Sequence, residues 1–123
     1  MTVKVKMKKK SLLRLRKQLP FLKCLQCCNP KLRKLLLKYG DAALINAVSE
    51  ICHNGVLGRI PIPAKCIQKL KEYKDPLRRL SKNSRSLAVR RKLLQTGEGG
   101  FIVPFITYFL SSALGKFLQN QQQ

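Results

Sequence analysis

Cys24-Leu25-Gln26-Cys27-Cys28 places three thiols within five residues, and Cys52 is followed directly by His53. Cys24-x-x-Cys27 is half of a tetrahedral zinc site, and Cys52, His53 or Cys66 would have to supply the other half. That second half lacks a paired spacing. Cys52 and His53 are neighbours, so on a helix they point about 100° apart. The competing reading makes the cysteines small apolar side chains, and Cys52 and Cys66 suit helix faces of that kind. The group at 24–28 could also cross-link in an oxidising particle. The balance favours no metal site, and no cofactor motif is present. His53 has no serine or aspartate with which to build a nucleophilic constellation, and it falls at a helix end, where it is expected to cap or face solvent. Glu72 and Asp75 stand three apart and suit local ion pairs with Lys69, Lys71 or Arg79 rather than a catalytic dyad. One histidine and five acids leave little for acid–base work, so the chain reads as a non-enzyme.

The abundant chemistry is cationic. The 123 residues carry 26 Lys+Arg against 5 Asp+Glu, a formal charge of +21. Residues 1–40 hold thirteen of the cations and no acid, and residues 59–96 hold twelve with Glu72 and Asp75. Between them, residues 41–58 carry only Asp41 and Glu50. Solvated faces normally mix both signs. Acid-poor blocks repel each other unless a polyanion lies between them. Lysine and arginine on such blocks release counterions from nucleic acid and bind it without reading sequence. The expected phosphate contacts are Lys31, Arg33, Lys34 and Lys38 in one block. Lys69, Lys71, Lys74, Arg78, Arg79, Arg90, Arg91 and Lys92 serve in the other. Double-stranded DNA is the favoured partner, with RNA and anionic lipid as alternatives. No helix-turn-helix or zinc-finger pattern is convincing, and Phe21, Tyr39 and Tyr73 read as core rather than as a stacking platform.

With 45% apolar residues the chain is not a disordered polycation. The elements that must carry these charges read as an all-α fold, a small bundle of four or five short helices. Residues 1–10 form a flexible basic arm. Residues 11–96 form a basic helical domain. Within it Ser11 caps a short helix that Pro20 interrupts or restarts. Asn29-Pro30 starts the next, with Gly40 at its end. Leu32, Leu35, Leu36 and Tyr39 make the apolar face of that second helix. Asp41 opens the central core helix, with Leu44, Ala47, Val48 and Ile51 as its buried stripe and an end near Asn54-Gly55. Pro63 opens a further helix, and Leu87 to Gln95 is the last basic one. The region 97–100 is a glycine-rich hinge, and 119–123 is a disordered glutamine-rich tail.

Residues 101–118 read FIVPFITYFLSSALGKFL, with one charge. That is at the lower edge of a membrane span. Three roles stand level: contact with an anionic membrane, docking onto a partner protein, or a return to cover the chain's own core. For the first two, Phe101, Ile102, Phe105, Ile106, Phe109 and Leu110 are the expected contacts. No secretory signal is expected, because Arg14, Arg16 and Lys17 interrupt the apolar run after the basic start.

A proline-opened helix carries Lys69-Leu70-Lys71, Tyr73-Lys74 and Pro76-Leu77-Arg78-Arg79-Leu80. Arg90-Arg91-Lys92-Leu93-Leu94, a Gly-Gly-Phe junction and an apolar end follow. This order resembles the small basic proteins encoded beside the capsid genes of Polinton (Maverick) elements and adintoviruses, which have been compared with adenovirus core protein X. The resemblance implies a virion core protein that condenses a double-stranded DNA genome, found in the virion interior and host nucleus, with capsid proteins as further partners. It also implies trimming at an apolar-x-Gly-x-Gly site. Gly97-Glu98-Gly99 supplies the glycines, but Gln95 stands where the apolar residue belongs. The alternative function is a membrane-active or capsid-cementing virion protein that works through residues 101–118.

Overall fold

Leu15, Leu19, Leu22 and Leu25 recur at helical spacing, and all four are fully buried on one side of a single long helix, α1 (Lys9–Cys27). The computed structural model describes residues 9–58, 60, 62–80 and 86–120, which form helices joined by short turns, bends and extended residues. α1 runs straight through Pro20, which lies on the exposed side. An interior proline costs about 3 kcal/mol. Four buried leucines at about 1.5–3 kcal/mol each outweigh it. The break expected there therefore does not occur. Of the flexible arm expected over 1–10, Lys9 and Lys10 belong to α1, and the rest lies outside the described residues.

Asn29 caps α2 (Pro30–Tyr39), its side chain accepting the Leu32 N–H at 2.8 Å, with Pro30 at the first position. Asp41 caps α3 (Ala42–Val56) in the same way, accepting from Leu44 N–H at 2.9 Å. α3 is the centre of the bundle. Leu44, Ala47, Val48 and Ile51 are buried as the stripe requires, and Ile45 and Cys52 join them. It packs against α1 on one side and three later helices on the others.

The predicted stop at Asn54-Gly55 is instead part of α3. Both residues are buried, and Gly58, with φ +75°, ends the turn that follows. Gly55 is there for space rather than for freedom. A Cβ on it would lie 2.2 Å from Phe105 Cδ1, so the crossing helix touches the α3 backbone directly.

Beyond the loop, α4 (Ala64–Lys69) passes through a 3-10 turn, Leu70–Tyr73, into α5 (Lys74–Leu80). Pro76 falls in the first turn of α5, where its missing N–H is not needed. Ser86 caps α6 (Leu87–Leu94), accepting from Val89 N–H at 3.3 Å. The apolar end then forms two helices, α7 (Val103–Ser111) and α8 (Ala113–Asn120), not one. Ser112 makes the break. Its hydroxyl donates to the Phe109 carbonyl at 2.6 Å and accepts the Gly115 N–H at 3.1 Å. Among the described residues the bundle thus has eight α-helices, where the sequence suggested four or five.

The stretch Thr96–Ile102 is not a loose hinge. Gly97, Glu98 and Gly99 all take left-handed backbone, with φ of 58°, 57° and 74°. Gly99 is buried, and a Cβ there would meet Leu37 of α2 at 2.5 Å. Phe101 then stacks on Tyr73, ring centroids 5.1 Å apart. The chain reverses here by packing against α2. Nor is the tail expected from residue 119 loose at its start. Gln119 donates to the Leu110 and Gly115 carbonyls at 2.9 and 3.0 Å.

Two substitutions separate space from backbone conformation. Gly55→Ala should lower stability by about 1–3 kcal/mol through overpacking against Phe105. Glu98→Gly should raise it by about 1 kcal/mol by removing a side chain from left-handed backbone. Urea unfolding followed by circular dichroism reads both. An unshifted midpoint for Gly55→Ala would mean that Phe105 moves aside freely.

Candidate polyanion-binding surface

The twelve expected phosphate contacts do not share one setting. Lys31, Lys34 and Lys38 are exposed, and their spacing of three and four puts them on one flank of α2. Lys71, Arg78, Arg79 and Lys92 are exposed as well. Lys69 and Lys74 belong to α4 and α5, but their side chains lie outside the described residues. Arg33, Arg90 and Arg91 are half-buried.

Arg33 and Arg91 face inward for one reason. A helix leaves its last carbonyls without partners and carries partial negative charge there. α1 has no basic residue in its last turn. Arg33, from α2, supplies one. Its Nε donates to the Leu25 carbonyl at 3.3 Å and its Nη2 to the Cys28 carbonyl at 3.2 Å. Arg91, from α6, does the same for α2. Its Nη1 donates to the carbonyls of Leu37, Lys38 and Gly40 at 3.1, 3.1 and 2.6 Å. These two cations hold helix ends. Arg90 Nε is buried without a hydrogen-bond partner among the described residues.

The sequence carried a signal for this division. α2 reads PKLRKLLLKY, with one arginine among three lysines. Only arginine presents five donors in a fixed fork that can span two carbonyls. Exposed lysines also lie outside that set, Lys65 of α4 and Lys116 of α8 among them. Lys17 and Lys23 of α1 are exposed and enlarge the basic surface. Arg14, also on α1, is 3.8 Å from Glu50 of α3 and joins the two helices.

Phe101, Ile102, Phe105, Ile106, Phe109 and Leu110 are all buried. They pack with the leucines of α1 and the stripe of α3 in one core. Gln26 of α1 also reaches Thr107 of α7, Nε2 to Oγ1 at 3.2 Å. Of the three roles read for residues 101–118, covering the chain's own core is the one seen. Among the described residues no helix is long and apolar enough to cross a membrane. Conversely Phe21 and Tyr39, expected in the core, are exposed, while Tyr73 is half-buried against Phe101. The inward side of α2 is set by Leu37 and half-buried Leu36, so Leu32, Leu35 and Tyr39 face out.

Cys24 and Cys28 are neighbours one helical turn apart, but the five cysteines do not form one cluster. Cys24 and Cys27 are exposed and Cys28 half-buried at the end of α1, Cys52 is buried in the core, and Cys66 lies 3.4 Å from the Tyr108 hydroxyl. Among the described residues no group of three or more His, Cys, Asp or Glu is placed to hold a metal ion. Burial, and then the neighbouring Cys24 thiol, push the Cys28 thiol up despite Arg33 beside it. This is the reverse of what an activated nucleophile needs. Burial alone pushes Cys52 up to about 12. The hydrogen bond with Cys66 is the main cause raising the Tyr108 hydroxyl. His53 is half-buried in the last turn of α3, where its carbonyl accepts the Leu57 N–H at 3.1 Å.

No protein-family model, curated protein or solved structure matches the chain.

Two measurements check the assignments of Arg91 and Cys52. Arg91→Ala should cost about 1–3 kcal/mol in thermal unfolding, because the partly buried Leu37 and Gly40 carbonyls lose a charged donor. Lys92→Ala, one residue on, should stay within about 0.5 kcal/mol. The unfolded Cys52 thiol ionises near 9.0 and the folded one near 12. Between those values the unfolded chain binds fewer protons, so rising pH favours unfolding. Stability should therefore be intact below pH 9 and decline above it, by up to about 1.4 kcal/mol per unit from this group. Cys52→Ala should lack that part of the decline.

Proposed function

We propose that the protein binds double-stranded DNA without reading its sequence, and condenses a viral or virus-like genome inside the virion. The observation that carries this is the set of exposed cations on α2, α5 and α6. Lys31, Lys34, Lys38, Arg78, Arg79 and Lys92 all face solvent. The whole chain has 5 acids against 26 cations, so most of that charge has no carboxylate of its own to meet. A phosphate backbone, with one negative charge per roughly 1.7 Å of duplex axis, neutralises such a surface wherever it lands.

The resemblance to the core proteins of Polinton elements and adintoviruses supports the same reading and supplies the setting, a packaged genome in a virion and nucleus. The five lysines of residues 1–10 extend the charge further. RNA shares the phosphate chemistry and is the competitor to run against duplex DNA. Nothing in this mode of binding calls for a cofactor or a catalytic group.

The test is duplex-DNA affinity of the full chain across a salt series. The logarithm of affinity should fall linearly with the logarithm of salt, with a slope of about −0.9 per phosphate neutralised. Replacing Lys31, Lys34 and Lys38 by alanine should weaken binding to all sequences alike and reduce the slope by about 1 per lysine. Arg33→Ala should lower stability and leave the slope where it was. Binding that ignores salt would overturn the proposal.

A further inference from the structure

The outer face of α2 holds more than charge. Leu32, Leu35 and Tyr39 are 42%, 51% and 72% exposed. Successive spacings of three and four place them along one line of the helix. Lys31, Lys34 and Lys38 run beside that line, and α2 contains no acid. The Lys38 ammonium lies 5.3 Å from the centre of the Tyr39 ring. Phosphate binding uses the lysines and gives the leucines nothing to do.

A surface that fits both lines must be negative outside and apolar just beneath. We propose that α2 lies on an anionic lipid bilayer, with Leu32, Leu35 and Tyr39 entering the interface and the three lysines meeting the headgroups. The inference goes beyond DNA binding, although it shares these lysines. Charge decides against two other occupants. Duplex DNA matches the lysines alone. A second copy of the chain brings +21 against +21. The residue types decide against an acidic protein. Lysine is depleted in protein–protein interfaces. At a bilayer its long stem lies along the apolar layer while the ammonium stays wet. Tyrosine likewise suits the headgroup level, with an apolar ring and a polar tip. Ten residues give α2 a length of about 15 Å, enough to lie in the interface and far too short to cross it.

The membrane contact expected from residues 101–118 is thereby placed elsewhere in the chain. Phe101, Ile102, Phe105, Ile106, Phe109 and Leu110 are core, whereas α2 carries an exposed apolar line beside lysines.

The experiment uses the full chain with vesicles of phosphatidylcholine alone and of phosphatidylcholine with phosphatidylserine. Sedimentation should show binding to the second and not the first. A variant with Leu32→Gln, Leu35→Gln and Tyr39→Gln keeps helix-compatible residues at exposed positions. It should lose at least about tenfold in vesicle affinity while its duplex-DNA affinity and salt slope stay unchanged. The chain has no tryptophan, so Leu35→Trp gives a single reporter. Its emission should shift to the blue on the phosphatidylserine vesicles. Equal vesicle binding by the glutamine variant, or a tryptophan that stays in water, would overturn the proposal and leave charge alone. Failure of DNA binding with vesicle binding intact would sink the DNA reading instead. Binding to an acidic protein domain with no vesicle binding would put a protein in the bilayer's place.

Discussion

Phe105 rests directly on the backbone of α3 at Gly55, and the rest of the structure depends on that crossing. The chain has two basic stretches that repel each other and little acid to offset them. A core strong enough to hold them is built from leucines inside the two stretches together with the apolar residues between and after them. α3 lies at its centre, with Leu44, Ile45, Ala47, Val48, Ile51 and Cys52 buried. α7 adds Phe105, Ile106, Phe109 and Leu110, and its approach at Phe105 leaves no room for a side chain on residue 55. α1 packs against α3, α7 and α8, so without the last two helices Leu15, Leu19, Leu22 and Leu25 would lose much of their cover. The apolar end of this chain is best understood as the price of its charge.

The helix ends follow the same constraint. Helical proteins usually satisfy terminal carbonyls locally or with lysines, and place acids near N-termini. Here acids are scarce. Asp41 is used as a cap, and Glu50 is close to Arg14. The C-terminal ends of α1 and α2 are each held by an arginine from a later helix. Each of those hydrogen bonds ties an element to its neighbour as well as satisfying a carbonyl. Arg91 connects positions more than fifty residues apart in this way. Cations that would otherwise add to surface repulsion become internal struts.

Much of this was legible in the chain, for reasons that can be named. Asn29-Pro30 and Asp41 marked helix starts because capping is local chemistry. The apolar stripe of α3 marked the core because nearly all of its sides are apolar. Three things were not legible. Pro20 read as a break because local propensity argues for one, and only tertiary burial of four leucines overrides it. Asn54-Gly55 read as a stop because the same dipeptide serves a turn or a close helix crossing, and the partner Phe105 is fifty residues away. The orientation of α2 was the third. Its leucines offer two faces, and the choice of Leu36 and Leu37 over Leu32 and Leu35 rests on Gly99 and the turn that packs there. That turn has three left-handed residues in a row, which no periodicity announces.

The orientation of α2 also governs what the surface can do. Had Leu32, Leu35 and Tyr39 faced inward, the outer side of the helix would be lysine alone, and a polyanion would be its only match. Turned as it is, the helix presents a charged line and an apolar line side by side. Charge by itself is indifferent to the kind of polyanion, because a lipid headgroup and a nucleic-acid phosphate are the same to an ammonium group. Discrimination has to come from the groups next to the charge. On α5 the exposed groups are Arg78 and Arg79, whose planar forks match phosphate geometry. On α2 they are lysines beside leucines. One protein can therefore carry two surfaces of equal sign and different preference, and the difference lies in the uncharged neighbours and in the choice of arginine or lysine.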